Sequence, residues 1–170
     1  MTAAATDLFD LFNNQASTTV RIRGLWPIFH HTAATAFTLP WRFDVIRTSA
    51  IGTGGTVHSV NAAAPAAGVV SINQLSTASA ALPAGITARS VPTGGATAAT
   101  LLWPMSFFLE EGSTANAVPQ ILAQGINWVP EYAHDQPWNL ATGQGIKVRQ
   151  ITPTASTGVG VGWLMAFTVV

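Results

Sequence analysis

The chain has 170 residues and 17.7 kDa, with seven Lys and Arg, seven Asp and Glu, four His and no cysteine. Charged residues are 8% of it, against about 25% in ordinary soluble domains, and 74 of the 170 positions are Ala, Thr, Ser or Gly. Zero net charge without a basic stretch argues against nucleic acid as a partner, since displacing counterions takes clustered Lys and Arg; without cysteine there are no disulfides, no zinc–thiolate site and no Cys nucleophile.

A 48% apolar content with six Trp excludes a disordered chain. The first 20 residues hold no Lys or Arg and no long apolar core, so no secretory signal is expected. Mean hydropathy is +0.35, yet the longest apolar runs, 101–109 and 158–170, are broken by Pro104 or by glycines. Neither reaches the length of a membrane span, and no membrane partner is expected. A compact monomer of this mass exposes roughly 8,000 Å². Its fourteen charges would then stand about one per 570 Å², where an ordinary chain has one per roughly 190 Å².

In chain order, residues 1–17 read as an N-terminal arm and 18–170 as one β-sandwich domain. The arm holds a tandem Asp-Leu-Phe repeat, Asp7 to Phe12. Leu8, Phe9, Leu11 and Phe12 can share one face of a short helix, with Asp7 near its N-terminus. So short a helix does not stand alone in water, so the arm must dock, on its own domain or on a neighbouring subunit.

From residue 18 the apolar period is two. Val20 and Ile22 alternate with Arg21 and Arg23; Trp41, Phe43 and Val45 oppose Arg42 and Asp44; Ile146 and Val148 alternate with Lys147 and Arg149. Leu101, Trp103, Met105, Phe107 and Leu109 form another row, with Pro104 marking an edge strand or a bulge. In the last strand Val159, Val161, Trp163, Met165, Phe167 and Val169 face one side. The other side holds Gly160, Gly162, Ala166 and Thr168, broken only by Leu164. Turn signals at 52–55, 92–95, 111–113 and 142–145 separate such runs. Eight to ten strands are expected, an all-β fold best described as a single jelly-roll-like β-sandwich with an N-terminal extended arm or short helix. Residues 48–88 carry no Asp, Glu, Lys or Arg; part of this stretch is expected to contact other subunits, or to stay wet through its hydroxyls.

Chemistry-bearing motifs are sparse. His30 and His31 are adjacent, so on a strand they point to opposite faces, and the His-x-His of a cupin-type metal site is missing. His134, Asp135 and Glu131 lie in a loop rich in Pro and Trp that could hold a cation, though loop hydrogen bonding is the plainer reading. Glu110 and Glu111 sit side by side at a turn and do not face one cleft as a glycosidase pair must. No Gly-x-Ser-x-Gly elbow and no phosphate-binding Gly-rich loop occur. No catalytic residue, metal ligand or cofactor is therefore assigned, and the chain is not expected to be an enzyme. Trp128, Tyr132 and Trp138 mark an aromatic loop suited to a protein interface, to packing, or to stacking on a sugar; Trp103 and Trp163 are expected in the core.

The second half, 86–170, resembles virion structural proteins of tailed bacteriophages. The residues that carry the likeness are Ile86-Thr87-Ala88-Arg89 with Pro92-Thr93-Gly94-Gly95, then Glu110-Glu111, then the run from Gly143 to Thr152. The closing strand from Gly162 to Thr168 completes it. The resemblance implies a small jelly-roll subunit that assembles on or in a capsid, with a structural role and no catalytic residues. The expected function is thus a capsid subunit or a capsid decoration protein, made in the host cytoplasm and resident in the virion. Its partners would be copies of itself, as a trimer or higher homo-oligomer, and other capsid proteins. The interface would use Leu8, Phe9, Leu11, Phe12, Trp128, Tyr132 and Trp138. The alternatives are a carbohydrate-binding, receptor-recognition β-sandwich and a cupin-like metal enzyme.

Overall fold

The computed structural model of the chain describes residues 6–31, 37–58, 60–61, 72–73, 82–92, 97–111, 120–121, 126–127, 138–151 and 159–170. Among these no helix occurs, and most lie in strands. The strands are β1 (Thr6–Asn13), β2 (Val20–His31), β3 (Phe37–Thr48), β4 (Thr56–His58), β5 (Val60–Asn61), β6 (Ile72–Asn73) and β7 (Ile86–Ser90). They continue with β8 (Ala98–Glu111), β9 (Gln120–Ile121), β10 (Ile126–Asn127), β11 (Trp138–Leu140), β12 (Gln144–Gln150) and β13 (Val159–Val169).

Seven strands form one antiparallel sheet in the order β4-β7-β1-β12-β3-β8-β9. In a second antiparallel sheet β2 lies between β13 and the short β10 and β11; β5 and β6 make a two-residue parallel pair. The antiparallel pairings nest in sequence: β1 with β12, β2 with β11, β3 with β8, β4 with β7. The two large sheets make a β-sandwich-like arrangement, and period-two patterning decides which side chains enter it. Val20, Ile22 and Leu25 of β2 and Leu140 of β11 meet Leu11, Phe43, Val45, Ile86, Met105, Ile146 and Val148 of the seven-stranded sheet in one buried cluster. The Phe43 and Trp163 rings lie edge to face, centroids 5.2 Å apart, in the favoured geometry for such pairs.

The turn between β11 and β12 shows why the sequence closes there. Gln144 N–H donates to the Ala141 carbonyl and Gly143 N–H to the Asn13 carbonyl. Gly143 adopts φ 76°, a conformation that costs glycine little because it has no Cβ.

Two expectations are corrected. Thr6–Asn13 is not a short helix: it is extended and docks on its own domain as an inner strand, bonded to β12 on one side and β7 on the other. The repeat reads equally as helix face or strand because six residues are too few to separate the periods, and the two waiting strand edges decide the matter. Trp103 lies 49% exposed, as does Leu101, while Met105 of the same row is buried at 4%. β8 lies outside β3, and among the described residues β9 pairs with it only at Leu109 and Glu110, so the row leaves the core as it runs toward Ala98.

Candidate functional site

Leu11 and Phe12 are 2% and 6% exposed, and Leu8 and Phe9 pack half-buried against the core. These side chains are spent on their own domain, which removes Leu11 and Phe12 as docking residues for a neighbour. Trp138, on β11 opposite Ile22, is likewise half-buried against the core. Trp128 and Tyr132 fall outside the described residues, as do Glu131, His134 and Asp135.

The face of the seven-stranded sheet turned away from the core holds what the sequence reading missed. Alternation along β12 sends Ile146 and Val148 inward and Lys147 and Arg149 outward. Yet Lys147 is 1% exposed, and Asp7, Asp10, Asp44 and Thr48 are buried with it. Lys147 Nζ donates to Asp7 Oδ2 at 3.1 Å, while Arg149 donates from Nε to Oδ1 at 2.6 Å and from Nη2 to Oδ2 at 3.2 Å. The bond to Asp7 holds the Arg149 guanidinium above its already high ordinary value. Beside them Arg42 forks onto both oxygens of Asp44, at 3.0 and 3.3 Å.

Asp10, opposite Lys147 in register, accepts the Gly52 N–H at Oδ2 over 2.9 Å, and its other oxygen is buried with no hydrogen-bond partner among the described residues. Burial is the main cause that raises its carboxyl above 3.8, with the Gly52 bond and the Arg89 charge pulling the other way. The loop after β3 thus folds over this face. Period two in the sequence shows that the charges share a face; nothing local shows that the face is covered.

A side-chain hydrogen bond ties the edge strand β4 to its neighbour β7, where His58 Nε2 and Ser90 Oγ lie 2.9 Å apart. The two residues are diagonal neighbours on β4 and β7, the usual reach of a cross-strand hydrogen bond. Val91, next in the chain, is held at φ 45°, an unusual place for a β-branched residue. Its N–H is bonded to the Leu8 carbonyl, which pins the end of β7 to β1. Among the described residues no group of three His, Asp or Glu could hold a metal ion.

The exterior is apolar in places: Val57, Val91, Leu101, Trp103, Leu164 and Val170 are each about half exposed or more. Fold and surface define an all-β protein of two antiparallel sheets with a charged layer buried on one of them. Comparison with protein-family models, with curated proteins and with solved structures finds no match in any of the three.

Proposed function

We propose that the chain is a virion structural protein, a capsid subunit or capsid decoration protein, that assembles with copies of itself through charge-poor surfaces. The observation that carries the reading is the fate of the charges. With Asp7, Asp10, Asp44 and Lys147 buried, at most ten of the fourteen remain for a surface of 9474 Å². That is about one per 950 Å², roughly fourfold sparser than on an ordinary soluble domain with the same surface. A free monomer so made, at a pI of about 6.9, lacks the repulsion that keeps proteins apart.

The fold supports the same reading. Nested antiparallel pairs, with β1, β12, β3 and β8 side by side, are what a hairpin rolled into a jelly roll produces, and capsid proteins use that architecture. β7 departs from the simplest version by joining β1 in the same sheet. The resemblance of 86–170 to virion proteins of tailed bacteriophages points the same way. Lectins and cupins share the architecture; of the aromatic loop, Trp138 is half-buried against the core and gives a sugar little to stack on.

Mass photometry and negative-stain electron microscopy of the purified chain test the reading. Trimers, larger rings or shells are expected, and a monomer at every accessible concentration would overturn it.

A further inference from the structure

We infer that residues 49–55 are a strap, latched by Asp10 over the outer face of the seven-stranded sheet, that lifts locally, with the sheet intact, as Asp10 gives up its proton. The strap runs from Thr48, the end of β3, to Thr56, the start of β4, and β12, β1 and β7 lie between those two strands. Four strand spacings measure about 19 Å, and eight residues at full stretch reach about 26–29 Å, so the link crosses with little slack. It crosses on a diagonal. Thr48 stands in one row with Gly145 and Phe12, Thr56 in another with Ser90 and Phe9, and Asp10 and Arg89 oppose each other between the two rows. Ser49 N–H donates to the Thr97 carbonyl at 3.1 Å, Gly52 N–H to Asp10 Oδ2 at 2.9 Å, and Arg89 Nη1 to the Gly54 carbonyl at 3.2 Å. The Asp10 bond is the central one, at a buried glycine, while Ser49, Thr53, Gly54 and Gly55 are exposed. Gly54 and Gly55 turn at φ 67° and 63°, a conformation natural to glycine. Exposed backbone with Ile51 as its one large side chain belongs to the part of a fold that opens at least cost.

The groups that face Asp10 are Arg89 opposite it on β7, Lys147 opposite it on β12, and Asp7 on its own strand. The strap itself brings no ionisable side chain, and Lys147 is engaged with Asp7. Asp10 Oδ1 and Arg89 Nε are both buried with no hydrogen-bond partner among the described residues. Oδ1 can therefore carry a proton while Oδ2 keeps the Gly52 N–H, and the latch bond survives in the neutral form. Burial favours that neutral form and raises the carboxyl above 3.8, against the pull of Gly52, Arg89 and Lys147, with Asp7 adding to the rise. Lifting the strap returns the carboxyl to water, where it ionises more readily. The closed strap thus holds the proton more tightly than the lifted one. Closure is fullest below 3.8 and weakens as pH rises through the raised value. Lifting also uncovers Asp10 and Arg89, bringing two opposite charges to a surface that has few.

Amide hydrogen exchange of the full chain, resolved by residue with NMR and corrected for the intrinsic effect of pH on exchange, tests the strap at the Gly52 N–H. At neutral pH that amide should be at least about tenfold less protected than the amides of β12, since it is released without global unfolding. Its protection should fall as pH rises from about 4 to about 7, roughly tenfold for each unit by which Asp10 titrates above its ordinary value. Asp10→Asn keeps the acceptor for Gly52 and cannot ionise, so there the fall should vanish. Gly52 protected as strongly as β12 at every pH would mean that the strap opens only with the whole fold, and would overturn the local lift. A fall that persists in Asp10→Asn would remove Asp10 as the latch. If that variant does not fold, the wild-type series decides: Gly52 below β12 and losing protection with pH supports the strap, and constant protection overturns it. The readout lies within a single chain, so it stands or falls apart from whether copies assemble.

Discussion

Arg149 grips Asp7 through both its Nε and Nη2, at 2.6 and 3.2 Å, and so ties the first strand of the protein to the twelfth. The carboxylate is 3% exposed at its side chain, and Lys147, exposed by 1%, closes on it as well. A buried ion pair is a poor source of net stability, but removing one partner strands the other charge in a medium that cannot solvate it.

Asp7→Ala is therefore expected to cost about 3–5 kcal/mol in urea unfolding, as removal of one partner from a buried ion pair does. Lys147→Met should cost distinctly less, since Asp7 keeps its two bonds from Arg149. If the two variants proved equally damaging, Lys147 would matter for its packing and not as the charge left behind.

Asp10 makes stability depend on pH. Its carboxyl titrates above 3.8 when folded, so between 3.8 and that raised value the folded chain binds more protons than the unfolded one. The stability owed to this group is complete below 3.8 and is lost as pH rises through the folded value. Asp10→Asn keeps an oxygen for the Gly52 N–H and removes the titration. Its urea midpoint should exceed the wild-type value at neutral pH, with the gap narrowing on acidification.

Gly145 sits where β12 crosses β1 and β3. A Cβ there would press on the Leu11 carbonyl oxygen, the Phe12 ring and the Thr48 hydroxyl, all within 2.7 Å. The backbone oxygen has no room to yield. Gly145→Ala should lower stability by about 1–3 kcal/mol, as overpacking does, measurable as a fall in Tm. Gly143→Ala meets no neighbouring atom and should cost only the strain of its positive φ.

Deletion of residues 1–17 separates an arm from a strand. A dispensable arm would leave a folded chain that assembles poorly. Loss of β1 instead opens a gap between β7 and β12 and removes Leu11 and Asp7 together. Circular dichroism of the truncated chain should show no cooperative unfolding transition.

What the amino-acid order determined by itself is local. Alternation in Val20–Arg23, in Trp41–Val45 and in Ile146–Arg149 predicts strands and says which residues share a face, because successive side chains on a strand point oppositely. The scarcity of charge, too, is a property of the sequence. Which face is covered, and which strand lies next to which, depends on contacts between residues far apart in the chain. Lys147 and Arg149 look like a wet face until the loop around Gly52 and the carboxylate of Asp7 are brought onto it. Trp103 looks like core until the Ala98 end of β8 is found to leave the buried cluster, while Met105 further along the same strand stays in it. Leu8 to Phe12 shows the same limit: the repeat allows helix or strand, and the unpaired edges of β7 and β12, set by tertiary structure, choose between them.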